Sequence, residues 1–165
     1  MLIRTERDPK CLWLSFKKMT NGFYPVDLRI PFKDVDLFRM VWYGNYLAYF
    51  DVARAELLRA FGLSPNDQAS LGFFAPVVRV KVNYHAPARH DDEVLVEVRP
   101  TLDRTAQVHF SFRIRKKEDG RLLVTGETTH VIKTMEGVLL YRIPEVLKER
   151  IEAILRELGG LEEKD

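Results

Sequence analysis

Between residues 33 and 44 the chain reads KDVDLFRMVWYG, which sets two acids, Asp34 and Asp36, one residue apart, then Arg39 and the aromatic pair Trp42 and Tyr43. The stretch fits neither the helical nor the strand period, so it reads as a structured loop entering a helix, and loops on a rigid scaffold are where chemistry concentrates. A carboxylate here could attack a carbonyl carbon or deprotonate a water. Bland readings stand beside this one. Asp36 could be an acid favoured by the helix dipole, and Asp34 a loop acid held by Arg39 or Lys33. Tyr43 divides between lining a substrate pocket and packing, and Trp42 is assigned to the core. His85, His90, His109 and His130 lie on different elements without compact ligand spacing, so no metal site is expected. Neither a GxSxG elbow nor a GxxxxGK loop occurs.

The elements that must position this loop follow from periodicity. Val26, Leu28, Ile30 and Phe32 alternate with polar residues and Pro31 as a half-buried strand, with Pro25 and Pro31 suited to an edge or to strand ends. Residues 45–62 place Tyr46, Leu47, Phe50, Ala53, Leu57, Leu58 and Phe61 at helical spacing, between a cap at Asn45 and a stop at Gly62. Ala48 and Val52 widen that apolar surface, which predicts a core helix wrapped on several sides. Ser64-Pro65 begins a short helical turn that Gly72 ends.

Four further alternating runs predict strands, each with one wet face, around residues 78–85, 94–99, 108–114 and 122–132, with the KEDG turn at 117–120 closing a hairpin. Pro144 opens an amphipathic helix through Leu147, Ile151, Ile154, Leu155 and Leu158, ending at Gly159-Gly160. The order is α+β: one antiparallel sheet curled round a long central helix, plus a C-terminal packing helix.

With 165 residues and 46% apolar content, one domain is expected, over residues 19–165, preceded by an N-terminal extension at 1–18. The net charge of +2 gives no global field for nucleic acid or a membrane surface. Cys11 is the one cysteine, which excludes an internal disulfide, and the apolar piece from Cys11 to Phe16 is shorter than a signal peptide's apolar region and follows mixed charges, so a signal peptide is not expected there. A cytoplasmic location is expected.

Residues 32–63 resemble the signature of the 4-hydroxybenzoyl-CoA thioesterase family, including the acyl-CoA thioesterases associated with the Tol-Pal system. The matching residues are Asp34, Asp36, Val41, Tyr43, Asn45-Tyr46 and Ala53-Arg54; the YHAPARHDD stretch at 84–92 is similar to the family's strand-end turn. The resemblance spans residues 22–145 and implies the hotdog fold, with ligands held between the subunits of a homodimer or homotetramer. It also implies an acyl-CoA thioesterase in which Asp36, at the position of the catalytic second acid, is nucleophile or general base. A thioester suits a single carboxylate, because its leaving thiol has a pKa of about 8.5 and needs no strong general acid.

Free N–H groups at the helix start near Asn45, or around Gly72, would stabilise the carbonyl oxygen as it gains charge. Arg104, near a phosphate-binding stretch in relatives, and Arg89 are the candidates for the coenzyme A phosphates. No cofactor is implied, coenzyme A being part of the substrate. Two departures stand out: Arg39 where the family usually has Gly, and Met40 where some relatives have His. Arg39 could lower the pKa of Asp36, fill its pocket or meet a substrate carboxylate. Two alternatives are a thioesterase acting on acyl-carrier protein and a non-catalytic acyl-thioester-binding protein. A hotdog hydratase would need a His in the 33–46 loop, which has none.

Overall fold

The computed structural model describes residues 22–103 and 105–159. The expected extension at 1–18 and Arg104 lie outside the described residues. Strands form where side chains alternate between apolar and polar: β1 (Tyr24–Arg29), then after two helices a short β2 (Phe73–Phe74), β3 (Val77–Tyr84), β4 (Glu93–Leu102), β5 (Gln107–Lys116), β6 (Leu122–Val131) and a short β7 (Lys133–Thr134). The five long strands make one antiparallel sheet in the order β1-β4-β5-β6-β3. Pro25 therefore sits on an edge strand, the setting expected for it. β2 pairs with β7, a pairing with no periodic signal because a two-residue strand has no period to read.

The inner sheet face is built of Val94, Val96 and Val98 on β4 and Val108, Phe110, Phe112 and Ile114 on β5, all buried. Helix α1 (Tyr46–Ala60) lies across it, burying Tyr46, Tyr49, Phe50, Ala53, Leu57 and Leu58. Phe50 stacks on Phe112 with ring centroids 4.5 Å apart. The helix comes this close because β6 offers Gly126 beneath it, where an added Cβ would lie 2.3 Å from Phe50 Cε2. Burying a side chain the size of phenylalanine is worth about 1.5–3 kcal/mol, so this contact fixes the depth of α1.

Helix α2 (Pro65–Ser70) starts at a reciprocal cap: Asp67 N–H donates to Ser64 Oγ, and Ser64 N–H donates to Asp67 Oδ2. The KEDG turn closes the β5–β6 hairpin, with Gly120 N–H donating to Lys116 O at 2.9 Å. Pro144 stands at the cap of α3 (Glu145–Glu157), one place before the expected first turn, and Leu147, Ile151, Ile154 and Leu155 are buried as the pattern requires.

Two expectations about the faces of the helix and the sheet fail within the single chain. Helix α1 is not covered on several sides, since Leu47 and Val52 are each 41% exposed. Strand β3 was expected to have one wet face, yet Val78 is 57% and Val80 44% exposed. The reason is geometric: α1 packs on β4 and β1 and reaches β5 and β6 through Phe50, while β3 is the edge strand at the opposite end of the sheet from β1, with a cavity between it and the helix.

Candidate active site

The loop from Phe32 to Asn45 is built around Asp34, which is 7% exposed. Tyr49, from the second turn of α1, donates its hydroxyl to Asp34 Oδ2 at 2.8 Å, and Lys33 Nζ donates to Oδ1 at 2.8 Å. The Asp34 carbonyl accepts the Trp42 N–H and the Asn45 side-chain amide, each at 2.9 Å. Burial works against the Asp34 charge, but the hydrogen bonds from Lys33 and Tyr49 outweigh it and hold the carboxyl below its ordinary value. Asp34 is thus a strut tying loop to helix. Of the two holders weighed for it, Lys33 serves and Arg39 does not. Asn45 does not cap α1 with its side chain as expected: its backbone is already helical (φ −70°, ψ −20°) and its amide is spent on Asp34.

Asp36 opens a tight turn bounded by a bridge between Val35 and Val41. Its N–H donates to Met40 O at 2.8 Å and its carbonyl accepts the Arg39 N–H at 2.9 Å. Its Oδ1 accepts the N–H groups of Phe38 (2.8 Å) and Met40 (3.4 Å), which aims the carboxylate; among the described residues Oδ2 has no partner. The turn forces Arg39 to φ +60°, the left-handed region that glycine occupies without strain. This accounts for glycine at the position in the resembling family. Among the described residues Arg39 forms no ion pair, so its guanidinium does not neutralise Asp36.

The neighbours of this turn arrive through backbone pairing. Met40 bridges to Arg89, and Val41 N–H donates to Ala88 O at 2.9 Å, which brings the YHAPARH stretch alongside. Arg89 is exposed there, so of the two phosphate candidates the structure sets Arg89 beside the Asp36 turn; Arg104 lies outside the described residues. Tyr43 is 64% exposed and its carbonyl accepts the Tyr84 hydroxyl at 2.9 Å. Trp42, assigned to the core, is instead 48% exposed; its ring lies over Gly44, where a Cβ would come within 2.0 Å of Trp42 Cζ3. Among the described residues the N–H groups of Tyr43 and Gly44, at the entry to α1, have no partner. The Gly72 N–H, by contrast, is taken by Ala69 O at 3.0 Å, where it ends α2.

A cavity of about 290 Å³ opens between α1 and β3, bordered by Leu47, Asp51 and Arg54 from the helix, Val80 from β3, and Thr128 and His130 from β6. Sequence reasoning missed this group, and set His130 aside with the other histidines. A signal was present: in VTGETTHVI (124–132) Thr128 and His130 occupy the same alternate positions as Val124 and Ile132, which puts two polar side chains on the inner face. His130 is 1% exposed; Nδ1 lies 2.9 Å from Ala75 O and Nε2 3.0 Å from Thr128 Oγ1. Burial pushes its pKa down. Asp51 and Arg54 pair at 2.7 Å on the rim. Among the described residues no cluster of three His, Cys, Asp or Glu side chains is arranged to hold a metal.

A family model for the thioesterase-like superfamily matches residues 30–151. The acyl-CoA thioester hydrolase YbgC of Escherichia coli is 29% identical over 101 residues, 61% of this chain and 75% of the relative. A 1,4-dihydroxy-2-naphthoyl-CoA hydrolase of Synechocystis is 26% identical over 111 residues, 67% of this chain and 80% of the relative. Among solved structures, the 1,4-dihydroxy-2-naphthoyl-CoA thioesterase Slr0204 of Synechocystis superposes with a TM-score of 0.72 at 23% identity, over 79% of this chain and 96% of that one. Sheet, central helix and family match agree: this chain is a hotdog-fold member of the thioesterase-like superfamily, a family of thioester hydrolases.

Proposed function

We propose that this chain hydrolyses acyl-coenzyme A thioesters to the free acid and coenzyme A, with Asp36 as its catalytic carboxylate. The observation that carries this reading is the Asp36 side chain itself. One oxygen is pinned by the Phe38 and Met40 N–H groups and, among the described residues, the other is uncommitted, on a turn leading into the N–H groups of Tyr43 and Gly44, which have no partner among those residues either. Those N–H groups would take the carbonyl oxygen as it becomes an oxyanion, a contribution of about 3–4 kcal/mol where one such donor has been removed from an enzyme.

Two routes are open to the free oxygen. It can add to the thioester carbon, expelling the thiolate and leaving a mixed anhydride that water then opens. Alternatively it can take a proton from a water that attacks the same carbon, with the thiolate leaving and being protonated. Arg89, with Arg104, would hold the phosphates of coenzyme A. No cofactor is needed. The names of the relatives favour coenzyme A over acyl-carrier protein as the thiol carrier. Arg39 and Asp36 form no ion pair, which argues against the version of binding without turnover in which Arg39 neutralises the acid; filling of the pocket by Arg39 is left to the turnover test.

The reading includes a homodimer formed along β3, with pairing into a tetramer as the further level. An edge strand offers unpaired backbone groups, and here the apolar residues Val78 and Val80 of β3 and Leu47 and Val52 of α1 are bare beside it. A partner strand would cover them and close the cavity between α1 and β3. Among the described residues no helix is long and apolar enough to cross a membrane, and the reading places the enzyme in the cytoplasm.

The test is release of free thiol from a panel of short, long and aromatic acyl-CoAs, run beside Asp36→Asn. Turnover by wild type, reduced about 10²–10⁴-fold in a folded Asn variant, is the expected result. Binding without turnover would replace the enzyme with a binding protein. Indifference to every coenzyme A ester, with cleavage of an acyl-carrier-protein ester, would change the carrier.

A further inference from the structure

We infer that Arg39 makes this protein selective for acyl groups that end in a second carboxylate, by pairing with that carboxylate beside Asp36. The inference rests on the thioesterase reading for the reaction and names an acyl class that the reading leaves open.

One turn brings the two residues together. Arg39 N–H donates to Asp36 O at 2.9 Å, so they are the ends of a four-residue turn, whose end Cα atoms lie within about 7 Å of one another. An extended arginine side chain spans a similar distance, which sets its guanidinium in range of a group a few bonds beyond the carbon that Asp36 meets.

The charges around the turn sort by what they already hold. Lys33 is paired with Asp34 at 2.8 Å, whereas Arg39 is exposed and forms no ion pair among the described residues. The Met40–Arg89 bridge sets His90 across from Arg39 in the antiparallel pairing, and the His90 ring packs edge-on against Phe32 with centroids 5.5 Å apart. The acids that follow on that segment are taken, Asp91 by Arg29 at 3.0 Å and Asp92 by Lys116 at 3.1 Å. The protein thus supplies the Arg39 guanidinium with no carboxylate of its own.

The backbone adds a second reason. At φ +60° Arg39 carries a left-handed cost that glycine would avoid, and strain of this kind collects at active sites and ligand clamps. What arginine brings to the position is its guanidinium.

Charge decides the ligand. A guanidinium matches a planar carboxylate through two parallel N–H bonds. Asp36 alone would repel a second carboxylate on the acyl group, but Asp36 and Arg39 together carry no net charge. The phosphates of coenzyme A are the competing anions, and the whole pantetheine arm stands between them and the thioester carbon. Arg39 shares the turn of the acid that meets that carbon, which favours the acyl side, and Arg89 on the neighbouring segment keeps the phosphate role. The class is therefore a dicarboxylic acid joined to coenzyme A through one end, with its other end ionised.

The experiment pairs malonyl-CoA with acetoacetyl-CoA, and glutaryl-CoA with hexanoyl-CoA, so that each set differs chiefly in a terminal charge. kcat/KM for thiol release and equilibrium binding are read on wild type, Arg39→Gly, Arg39→Gln and Arg39→Lys. Wild type should prefer the charged member of the better-fitting set about tenfold, the worth of one charge-assisted hydrogen bond in a part-exposed site. In Arg39→Gly and Arg39→Gln the ratio falls below one, because repulsion by Asp36 is then unopposed. Arg39→Lys, which keeps the charge and loses the fork, retains part of the preference, and added salt narrows it in wild type.

A wild-type ratio at or below one in both sets, or a ratio unchanged in Arg39→Gly and Arg39→Gln, overturns the proposal. An equal loss on both members of a set also overturns it, since Arg39 would then meet the shared coenzyme A portion. If wild type hydrolyses none of the four esters, the thioesterase reading falls, while the binding ratios on wild type and Arg39→Gln still decide for or against Arg39. Failure to bind any of them removes both.

Discussion

Tyr49 reaches back from α1 to place its hydroxyl 2.8 Å from Asp34 Oδ2, and this one contact separates the two acids of the loop into a structural residue and a candidate catalytic one. The bond clamps the loop carrying Asp36 to the helix whose entry holds the N–H groups of Tyr43 and Gly44. Desolvation by burial, followed by the hydrogen bond to Asp34, raises the Tyr49 pKa well above its ordinary value, so the hydroxyl remains a donor at any working pH.

Removing that hydroxyl is the first prediction. Tyr49→Phe leaves a buried carboxylate oxygen unsatisfied and should cost about 1.5–3 kcal/mol in urea unfolding. Because the Asp34 pKa is lowered in the folded state, its contribution is fully present above the unfolded value of about 3.9 and is lost as pH falls through the folded value. The acid-unfolding midpoint of Tyr49→Phe should therefore lie at higher pH than that of wild type. Coincident acid limbs would remove Asp34 from its role as a strut.

Arg39 is held at φ +60°. Arg39→Gly should stabilise the protein by roughly 0.5–1 kcal/mol, the left-handed cost relieved less the extra chain entropy a glycine loses on folding. Thermal unfolding measures it, and Arg39→Val, β-branched in the same conformation, should shift Tm the opposite way.

Gly126 gives α1 its seat. Gly126→Ala drives a methyl toward the Phe50 ring and should destabilise by about 1–3 kcal/mol, with a loss of thiol-release activity because the cavity wall moves with the helix. An unchanged urea midpoint would mean that α1 can lift without consequence.

A charge on β3 tests the assembly. Val78 is 57% exposed in the single chain, so Val78→Lys should leave the monomer fold intact. Light scattering should then report a shift from dimer toward monomer, with activity falling in step. A dimer of wild-type stability would move the interface elsewhere.

Most of the fold was legible because it is written in local periods. Alternation in VRVKVNY, EVLVEV and QVHFSFRI needs no partner to be read, and the 3.6-residue spacing from Tyr46 to Leu58 marks α1 for the same reason. The loop at 33–44 was legible by contrast, as two acids and two aromatics that obey neither period. What escaped was whatever depends on a distant residue: the exposure of Trp42, the bond of Asn45 to Asp34, and the polar pair Thr128 and His130.

The sequence by itself determined the α+β element order and the loop in which the acids lie, since backbone period and turn chemistry are properties of neighbouring residues. Only the tertiary structure decided that Asp34 is the strut while, among the described residues, one Asp36 oxygen is left without a partner, because that difference is made by Tyr49, fifteen residues from Asp34. It likewise decided that Arg89 stands beside Met40 and that His130 borders a cavity with its Nδ1 toward Ala75, contacts spanning 49 and 55 positions in the chain. Partners so far apart are chosen by packing, and packing is a property of the folded chain.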